Sequence, residues 1–143
     1  MNRLLLKVAM TVTVGCLLYS IAAVTQESPT TKKAAGVRIT QGPQLESANN
    51  NSAIIRWTSD NPGGTDEHYA VIHYGTNPRE LTQTAKSHIR LNRNHAYTIF
   101  RVRVEGLAPR TTYYYTIDSM EANGKGDGVT SAVKKFTTSG SIS

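Results

Sequence analysis

The sequence is almost free of cysteine, because its 143 residues include only Cys16. This cysteine lies inside an apolar N-terminal segment, and a chain that has lost that segment has no thiol at all. Without cysteine a chain forms no disulfide, has no thiolate nucleophile and offers no sulfur ligand to a metal. Disulfide scaffolds and thiol catalysis are therefore excluded for the mature protein.

Blocks of like charge are also missing, although the formal net charge is +6. Nucleic-acid binding needs a clustered basic stripe with interleaved aromatic residues, so we predict no nucleic-acid partner. We interpret the charge as a solvated surface with a mild attraction to anionic envelope polymers. The basic residues of the domain are scattered along it, for example Arg38, Arg56, Arg79, Arg90, Arg101, Arg103 and Arg110.

Only one long hydrophobic run occurs, and it is at the N-terminus. Arg3 and Lys7 precede an apolar stretch at 8–18, and small residues follow it, which is the three-part layout of a secretory signal. We predict that residues 1–23 are a signal peptide and that the mature chain begins at Ala23 or Val24. Removal of Arg3 and Lys7 lowers the net charge from +6 to +4 (6 − 2). The protein is then exported, secreted or periplasmic.

Two alternatives would attach the chain to a membrane. Residues 8–24 are about long enough to span a bilayer uncleaved, although Thr11, Thr13 and Ser20 interrupt the apolar run. Gly15-Cys16 has the order of a lipoprotein acylation site, but Thr13 stands where an aliphatic residue is expected and apolar residues follow Cys16. We favour cleavage over both alternatives.

After the signal, the chain divides into a spacer, one domain and a short tail. Residues 24–36 are small and polar with one proline, which predicts a flexible linker. Residues 37–139 form the domain, and residues 140–143 form the tail.

Helical periodicity is absent from the domain, and apolar residues recur instead with a period of two. Short alternating segments separated by Gly, Pro and Asn clusters predict an all-β, antiparallel two-sheet sandwich of about seven strands. The clearest alternating segments are SAIIRWT, YAVIHYG, YTIFRVRVEGL, TYYYTID and VKKFTT.

The segment LAPRTTY at 107–113 places Leu107, Pro109 and Tyr113 at even spacing. In a tyrosine corner, a tyrosine at the start of the penultimate strand hydrogen-bonds to the backbone just upstream. We predict that Leu107 fills the core edge, Pro109 stiffens the crossing and Tyr113 makes this bond. Tyr115 then faces the core with Trp57, so these five residues are assigned structural roles.

Trp57, the segment at 107–113 and the lack of disulfides together resemble a fibronectin type III domain, which has an immunoglobulin-like fold. A narrower resemblance is to the N-terminal domain of purple acid phosphatases. That resemblance implies an accessory module that precedes a metallophosphoesterase domain, and no metal-binding motif of that second domain matches here. We therefore predict no catalytic residue. The narrower match rests on VRITQGP, AIIRWTS, VIHYGTNPREL with Thr84-Ala85, GLAPRTTYYY and Phe136-Thr137-Thr138.

Acids and a histidine cluster only at Asp66, Glu67 and His68, in a predicted loop before the third strand. A metal site needs three or four converging ligands, and His73, His88 and His95 have no such spacing. We predict no metal and no cofactor. The Asp66–His68 stretch is interpreted as a hydrated loop and kept as a candidate binding loop.

Two further surfaces are candidates for recognition. Arg101 and Arg103 point outward from one strand, and with Tyr114 they could bind a sugar or polyanion. We favour the alternative, which is simple solvation and protection of a strand edge. Lys125-Gly126-Asp127 is similar to an adhesive Arg-Gly-Asp motif, but three glycines among six residues form a turn in any case, and we favour the turn.

The sequence thus predicts an exported, non-catalytic module for binding, spacing or protein interaction, with an unknown protein or a cell-surface glycan as partner. Neither a Gly-x-Ser-x-Gly elbow nor a phosphate-binding glycine loop is present. Two alternatives remain open: the front domain of a purple acid phosphatase-like enzyme, and a carbohydrate- or cell-surface-binding module.

Overall fold

The computed structural model describes residues 32–140, and within that range the regular structure consists of seven strands. The predicted signal peptide and most of the predicted linker and tail lie outside the described residues. In chain order the strands are β1 (Ile39–Ala48), β2 (Ser52–Asp60), β3 (Glu67–Gly75), β4 (Gln83–Arg90), β5 (Tyr97–Glu105), β6 (Thr112–Glu121) and β7 (Lys134–Thr137).

The strands form two sheets that pack face to face. One sheet has three strands in the order β1-β2-β5, and the other has four in the order β4-β3-β6-β7. Every neighbouring pair is antiparallel. The all-β, antiparallel two-sheet sandwich expected from the sequence is therefore confirmed.

Alternation along each strand creates the core. On β5 the inward Phe100, Val102 and Val104 are fully buried, while the residues between them are exposed. Successive side chains of a strand point to opposite faces, so the period of two in the sequence becomes one apolar and one polar face. β6 follows the same rule, with Tyr115 and Ile117 buried.

Aromatic rings fill the space between the sheets. Trp57 stacks on Phe100 across β2 and β5, with ring centroids 5.1 Å apart. Tyr113 and Tyr115 both contact Phe136 of β7, at centroid distances of 5.7 and 5.8 Å. Offset aromatic pairs at these distances add stabilisation beyond the area they bury.

The crossing before β6 has the geometry of a tyrosine corner. The hydroxyl of Tyr113 accepts a hydrogen bond from the backbone N–H of Ala108 at 2.9 Å. Leu107 is buried beside it, as its position in the motif requires. The Thr138 hydroxyl reinforces the crossing, because it donates to the Ala108 carbonyl at 2.6 Å and accepts from the Thr111 N–H at 2.9 Å.

Two local features differ from what the sequence suggested. Gly42-Pro43, which has the composition of a turn, lies inside β1, where the pairing with β2 shifts register. Gly42 has φ +82°, and a Cβ there would lie 2.9 Å from the Arg56 carbonyl oxygen, so glycine is required. β4 has few apolar residues and pairs along the edge of β3.

The residues just before β1 contact the sandwich. The Ala34 N–H donates to the Pro62 carbonyl at 2.9 Å, and Lys33 pairs with Glu121 at the end of β6 and with Asp127 in the segment that follows. Part of the segment that the composition assigns to a flexible linker is thus packed against the domain. No helix in the described range is long and apolar enough to cross a membrane.

Candidate functional site

The outer face of the three-stranded sheet carries two of the four large hydrophobic side chains that are exposed in residues 32–140. Tyr97 and Ile99 of β5 are 52% and 46% exposed, although residues of this size are usually covered. Arg101 and Arg103 follow them along the same face. All four point outward because they alternate with the buried positions of β5.

Two arginines lie directly opposite each other on this face. Arg56 of β2 pairs in register with Arg101 of β5, and like charges in that position repel. Glu46 of β1 accepts hydrogen bonds from Arg101 through both carboxylate oxygens, at 2.8 to 3.1 Å. These hydrogen bonds lower the pKa of Glu46 and raise that of Arg101. Arg56 forms no ion pair with any acid in residues 32–140.

A shallow groove crosses the face beside these arginines. Its volume is about 510 Å³. Tyr97 and Ile99 form one wall, Arg56 and Thr58 belong to its floor, and Thr40 and Gln41 of β1 line the other side. Asp60, at the end of β2, also lines the groove, so apolar, cationic, anionic and neutral polar groups converge on one open surface.

Tyr97 and Ile99 also line a second hollow of about 280 Å³ beside β4, together with Arg90, Asn92 and His95. The His95 ring lies 5.8 Å from the Tyr97 ring, and the two ring planes are tilted by 35°. Thr98 is part of this hollow, and its buried hydroxyl has no hydrogen-bond partner within the described residues. Tyr97 and Ile99 thus form a ridge between two concave surfaces.

His68 was expected in a loop before the third strand, but it lies within that strand. His68 is the second residue of β3 and is fully buried. Its Nε2 lies 3.3 Å from Oδ1 of Asp127, and its Nδ1 has no hydrogen-bond partner in the described structure. The assignment of His68 to a hydrated binding loop is therefore wrong, because alternation along β3 turns its ring inward.

Asp66 and Glu67 stay near the surface and bind basic neighbours. Asp66 pairs with Arg93 and Arg90, and Glu67 pairs with His88. Hydrogen bonding from Arg93 is the main reason that the pKa of Asp66 is lowered. The three neighbours in sequence thus point to two separate environments and do not form one site.

His68 belongs to a buried ionic cluster at the end of β6. The Lys33 ammonium lies 2.8 Å from Glu121 and 3.1 Å from Asp127. The Ser119 hydroxyl donates to the other Asp127 oxygen at 2.6 Å. We refer to Lys33, His68, Ser119, Glu121 and Asp127 as the ionic cluster. Lys33 supplies the cation that the two carboxylates require when they are buried.

The pKa values in the ionic cluster follow from these contacts. Burial is the largest influence on Asp127 and acts to raise its pKa, but hydrogen bonds from His68, Ser119 and Lys33 together lower it. The pKa of Glu121 is lowered mainly by the hydrogen bond from Lys33. Burial would lower the pKa of Lys33, but its two acidic partners raise it. All three groups are therefore held in their charged forms.

The ionic cluster has the residue types of a serine-hydrolase triad but not the order. Asp127 lies between Ser119 and His68, whereas a nucleophilic serine needs the imidazole as its direct base. Asp127 is also inaccessible, since its side chain is fully buried. The adhesive interpretation of Lys125-Gly126-Asp127 is wrong for the same reason.

Tyr114 does not join Arg101 and Arg103. It lies on β6, opposite Lys135 of β7, and its side chain points to the outer face of the four-stranded sheet, on the other side of the sandwich from β5. The proposed surface of two arginines and Tyr114 is therefore wrong. Tyr97 is the tyrosine that shares a face with Arg101 and Arg103, and the alternation in YTIFRVRV, followed back from Arg101 through Ile99, identifies it.

Metal binding finds no support in the described part of the chain. Within residues 32–140 no three His, Cys, Asp or Glu side chains are arranged to hold a metal ion. His88 contacts Glu67 and Tyr69, while His95 contacts Tyr97. The histidines are thus distributed over separate surfaces.

Solved structures with a similar fold come from proteins of different kinds. The sensor domain of the anti-sigma factor RsgI4 from Pseudobacteroides cellulosolvens is 18% identical, with a TM-score of 0.50 over 75% of this chain and 93% of that one. A fibronectin type III domain of human contactin 1 is 12% identical, with a TM-score of 0.48 over 85% of this chain and 92% of that one. At these identities the likeness concerns the fold alone.

A search of curated proteins found no match. The family model that matches describes the N-terminal domain of purple acid phosphatase, and it covers residues 40–138. The match includes all but the first residue of β1 and the whole of β2 to β7, with the tyrosine corner and the aromatic core. The chain therefore belongs to the family of purple acid phosphatase N-terminal domains.

Proposed function

We propose that this protein is an exported, non-catalytic module that binds the cell envelope through the outer face of its three-stranded sheet. The observation that carries the proposal is the ridge of Tyr97 and Ile99, which are 52% and 46% exposed between two concave surfaces. Exposed apolar side chains that form a contiguous surface rimmed by polar groups are typical of interaction sites. The adjacent arginines add attraction for anionic material.

A sedimentation assay tests the binding face. Purified mature protein is mixed with cell-envelope fragments of the organism that encodes it, and the pelleted fraction is measured. We expect the double variant Tyr97→Ser/Ile99→Ser to remain in the supernatant. Tyr114→Ser, on the opposite outer face, is the matched control and should pellet like the wild type. Equal pelleting of all three proteins would contradict the proposal.

Export is supported by the charged start, apolar middle and small-residue end of the N-terminal segment. Intact-mass analysis of the protein recovered outside the cytoplasm should give an N-terminus at Ala23 or Val24. A diacylglyceryl group on Cys16 would instead identify a lipoprotein, and an unprocessed N-terminus would identify an anchor.

The absence of catalysis is a separate part of the proposal. A two-metal phosphatase needs ligands that hold two ions about 3.5–4 Å apart, and the sequence offers no candidate set. Purified residues 24–143 should not hydrolyse an aryl phosphate when iron, zinc or manganese is supplied. Turnover proportional to both protein and metal would overturn this part.

A second candidate function is that of an accessory domain for a metallophosphoesterase. The family match over residues 40–138 favours it. The coding sequence downstream of the Ser143 codon is the direct test, because a metallophosphoesterase domain in the same reading frame would establish this function. A stop codon at that point would favour the independent module.

A further inference from the structure

We propose that the groove on the outer face of the three-stranded sheet binds an acidic polysaccharide, with Arg56 pairing with a sugar carboxylate and Tyr97 stacking on a sugar ring. This inference rests on the proposed function and names the chemical class of its ligand. It draws on three observations. Arg56 has no acid within ion-pair distance, the Tyr97 ring is half exposed, and the groove lies on the face of the sheet, where a ligand can contact side chains but not a free strand edge.

Charge at the Arg56 end of the groove favours an anion, because the acid in the groove lining, Asp60, is already paired with Arg38. Arg56 and Arg101 lie directly opposite each other, and Glu46 binds only Arg101, using both of its oxygens. Within residues 32–140, no acid lies within ion-pair distance of Arg56, although its charge also helps to lower the pKa of Glu46. A carboxylate beside Arg56 would relieve the repulsion between the two guanidinium groups, and it matches their planar donor geometry.

The other residues that line the groove have side chains of the kinds that bind sugars. The Tyr97 ring is half exposed and lies beside the His95 ring, so it offers an apolar surface for the face of a sugar ring. Thr40 and Gln41 on the opposite wall are exposed and can exchange hydrogen bonds with hydroxyl groups. An apolar surface with a few well-placed polar groups is the usual composition of a small-ligand site.

The position of the groove disfavours a peptide strand as the ligand. Peptides that add to a sheet bind through the backbone at an open edge. Here the groove crosses the face of β2, whose backbone is already paired with β1 on one side and β5 on the other. Recognition must therefore use side chains. The exposed row from Tyr97 to Arg103 extends for about 20 Å along β5, which suits an extended polymer.

Affinity electrophoresis measures the binding directly. The mature protein is run in native gels that contain polygalacturonate, neutral dextran or polyphosphate, and the retardation at increasing polymer concentration gives an apparent Kd. We expect retardation by polygalacturonate only. Arg56→Gln should weaken it about tenfold, because a charge-assisted carboxylate contact is lost. Tyr97→Ser should weaken it to a similar extent through the loss of stacking.

Lys135→Gln is the matched control, because it removes one positive charge from an exposed position on the other sheet. It should bind polygalacturonate like the wild type. Equal weakening by Arg56→Gln and Lys135→Gln would mean non-specific charge attraction and would overturn the inference. Thermal unfolding of each variant shows whether it is folded, and the two groove variants serve as independent tests if one of them is not.

The outcomes separate this inference from the proposed function. Equal or stronger retardation by polyphosphate would assign the groove to phosphate and overturn the choice of a carboxylate sugar. No retardation by any polymer, with envelope sedimentation still dependent on Tyr97 and Ile99, would reject the polysaccharide and leave the binding face standing. Loss of that dependence in the sedimentation assay would reject the proposed function itself.

Discussion

The two ends of β6 bury polar groups by different chemistry. Near its start, the tyrosine corner uses neutral hydrogen bonds between Tyr113, Thr138 and the backbone of 108–111. At its end, the ionic cluster buries two carboxylates with Lys33 and His68. Burying charges is costly unless each is paired, so the second end depends above all on the fully buried Asp127, whereas the first depends on single bonds of modest strength.

The two ends also differ in how locally they are encoded. The corner bond joins residues five apart in the sequence, while the bond from Lys33 to Glu121 joins residues 88 apart. A short motif can therefore specify the corner by itself. The ionic cluster exists only after the sheets and the N-terminal segment have come together, so its stability reports on the complete fold.

Breaking the ionic cluster should produce the largest effect. Asp127→Ala leaves Ser119 and His68 without their acceptor in a buried site and removes one partner of Lys33. Removal of one member of a buried ion pair costs about 3–5 kcal/mol, which lowers the melting temperature of a domain of this size by roughly 12 °C or more. Thermal unfolding at pH 7 measures this.

Asp60→Asn is the control for that variant, because Asp60 forms an exposed pair with Arg38 on the surface. Exposed pairs contribute about 1 kcal/mol or less, so its melting temperature should stay close to that of the wild type. If both variants lose equal stability, the burial of the ionic cluster has no special energetic role.

Breaking the corner should cost less. Tyr113→Phe keeps the ring and removes the hydroxyl, which leaves the Ala108 N–H unpaired. A lost hydrogen bond of this kind costs on the order of 1–3 kcal/mol, and the lower part of that range applies because Ala108 is exposed and water can reach its N–H. The expected fall in melting temperature is roughly 4–12 °C.

Tyr114→Ser is the control for the corner variant, since Tyr114 lies on the outer face of β6 and is only partly covered. The change should cost about 1 kcal/mol or less. A greater loss for Tyr114→Ser than for Tyr113→Phe would mean that a partner or a second domain covers the outer face of the four-stranded sheet.

The contrast between the ends explains what could be predicted from the sequence. Alternation and the LAPRTTY motif predicted the sandwich and the corner, because both are local patterns. β4 was not recognised as a strand because an edge strand needs few apolar residues. The opposition of Arg56 and Arg101 depends on the register between β2 and β5, which local sequence does not specify, and the partners of His68 come from distant segments.

Acidification should weaken the ionic end, and the exposed Glu46 and Asp66, whose pKa values are also lowered, act in the same direction. The folded-state pKa values of Asp127 and Glu121 are lowered, so their stabilisation is complete above the ordinary carboxyl pKa of about 4 and is lost as the pH falls through the folded values. Asp118 acts in the opposite direction, since burial raises its pKa and protonation relieves that cost. Urea unfolding from pH 7 to pH 3 measures the net change in stability that these opposing contributions produce.

We expect the urea midpoint of the wild type to fall towards pH 3, and that of Tyr113→Phe to fall in parallel. Asp127→Ala should show a flatter dependence, because one of the groups responsible is gone. Acidification should destabilise the wild type less than the substitution Asp127→Ala does at pH 7, since a protonated carboxyl still forms hydrogen bonds. Identical pH profiles for all three proteins would remove the distinction between an ionic and a neutral end.

Replacing Lys33 should give the smallest effect, and it tests whether the segment before β1 is part of the ionic end. Lys33→Met keeps the length of the side chain but removes the charge that faces Glu121 and Asp127. Asp127 retains Ser119 and His68, and the Lys33 side chain is 23% exposed, so water replaces part of the lost interaction. We expect a cost of about 1 kcal/mol.

Lys32→Met is the matched control, because Lys32 is the exposed neighbour of Lys33. Only Lys33→Met should also increase hydrogen exchange at the Ala34 N–H, whose bond to the Pro62 carbonyl holds the segment in place. Equal stability and exchange in the two variants would mean that the segment contributes nothing to the cluster in solution. The carboxylates would then be charged without a fixed cation, and the predicted acid sensitivity should be weaker than the contacts of Lys33 imply.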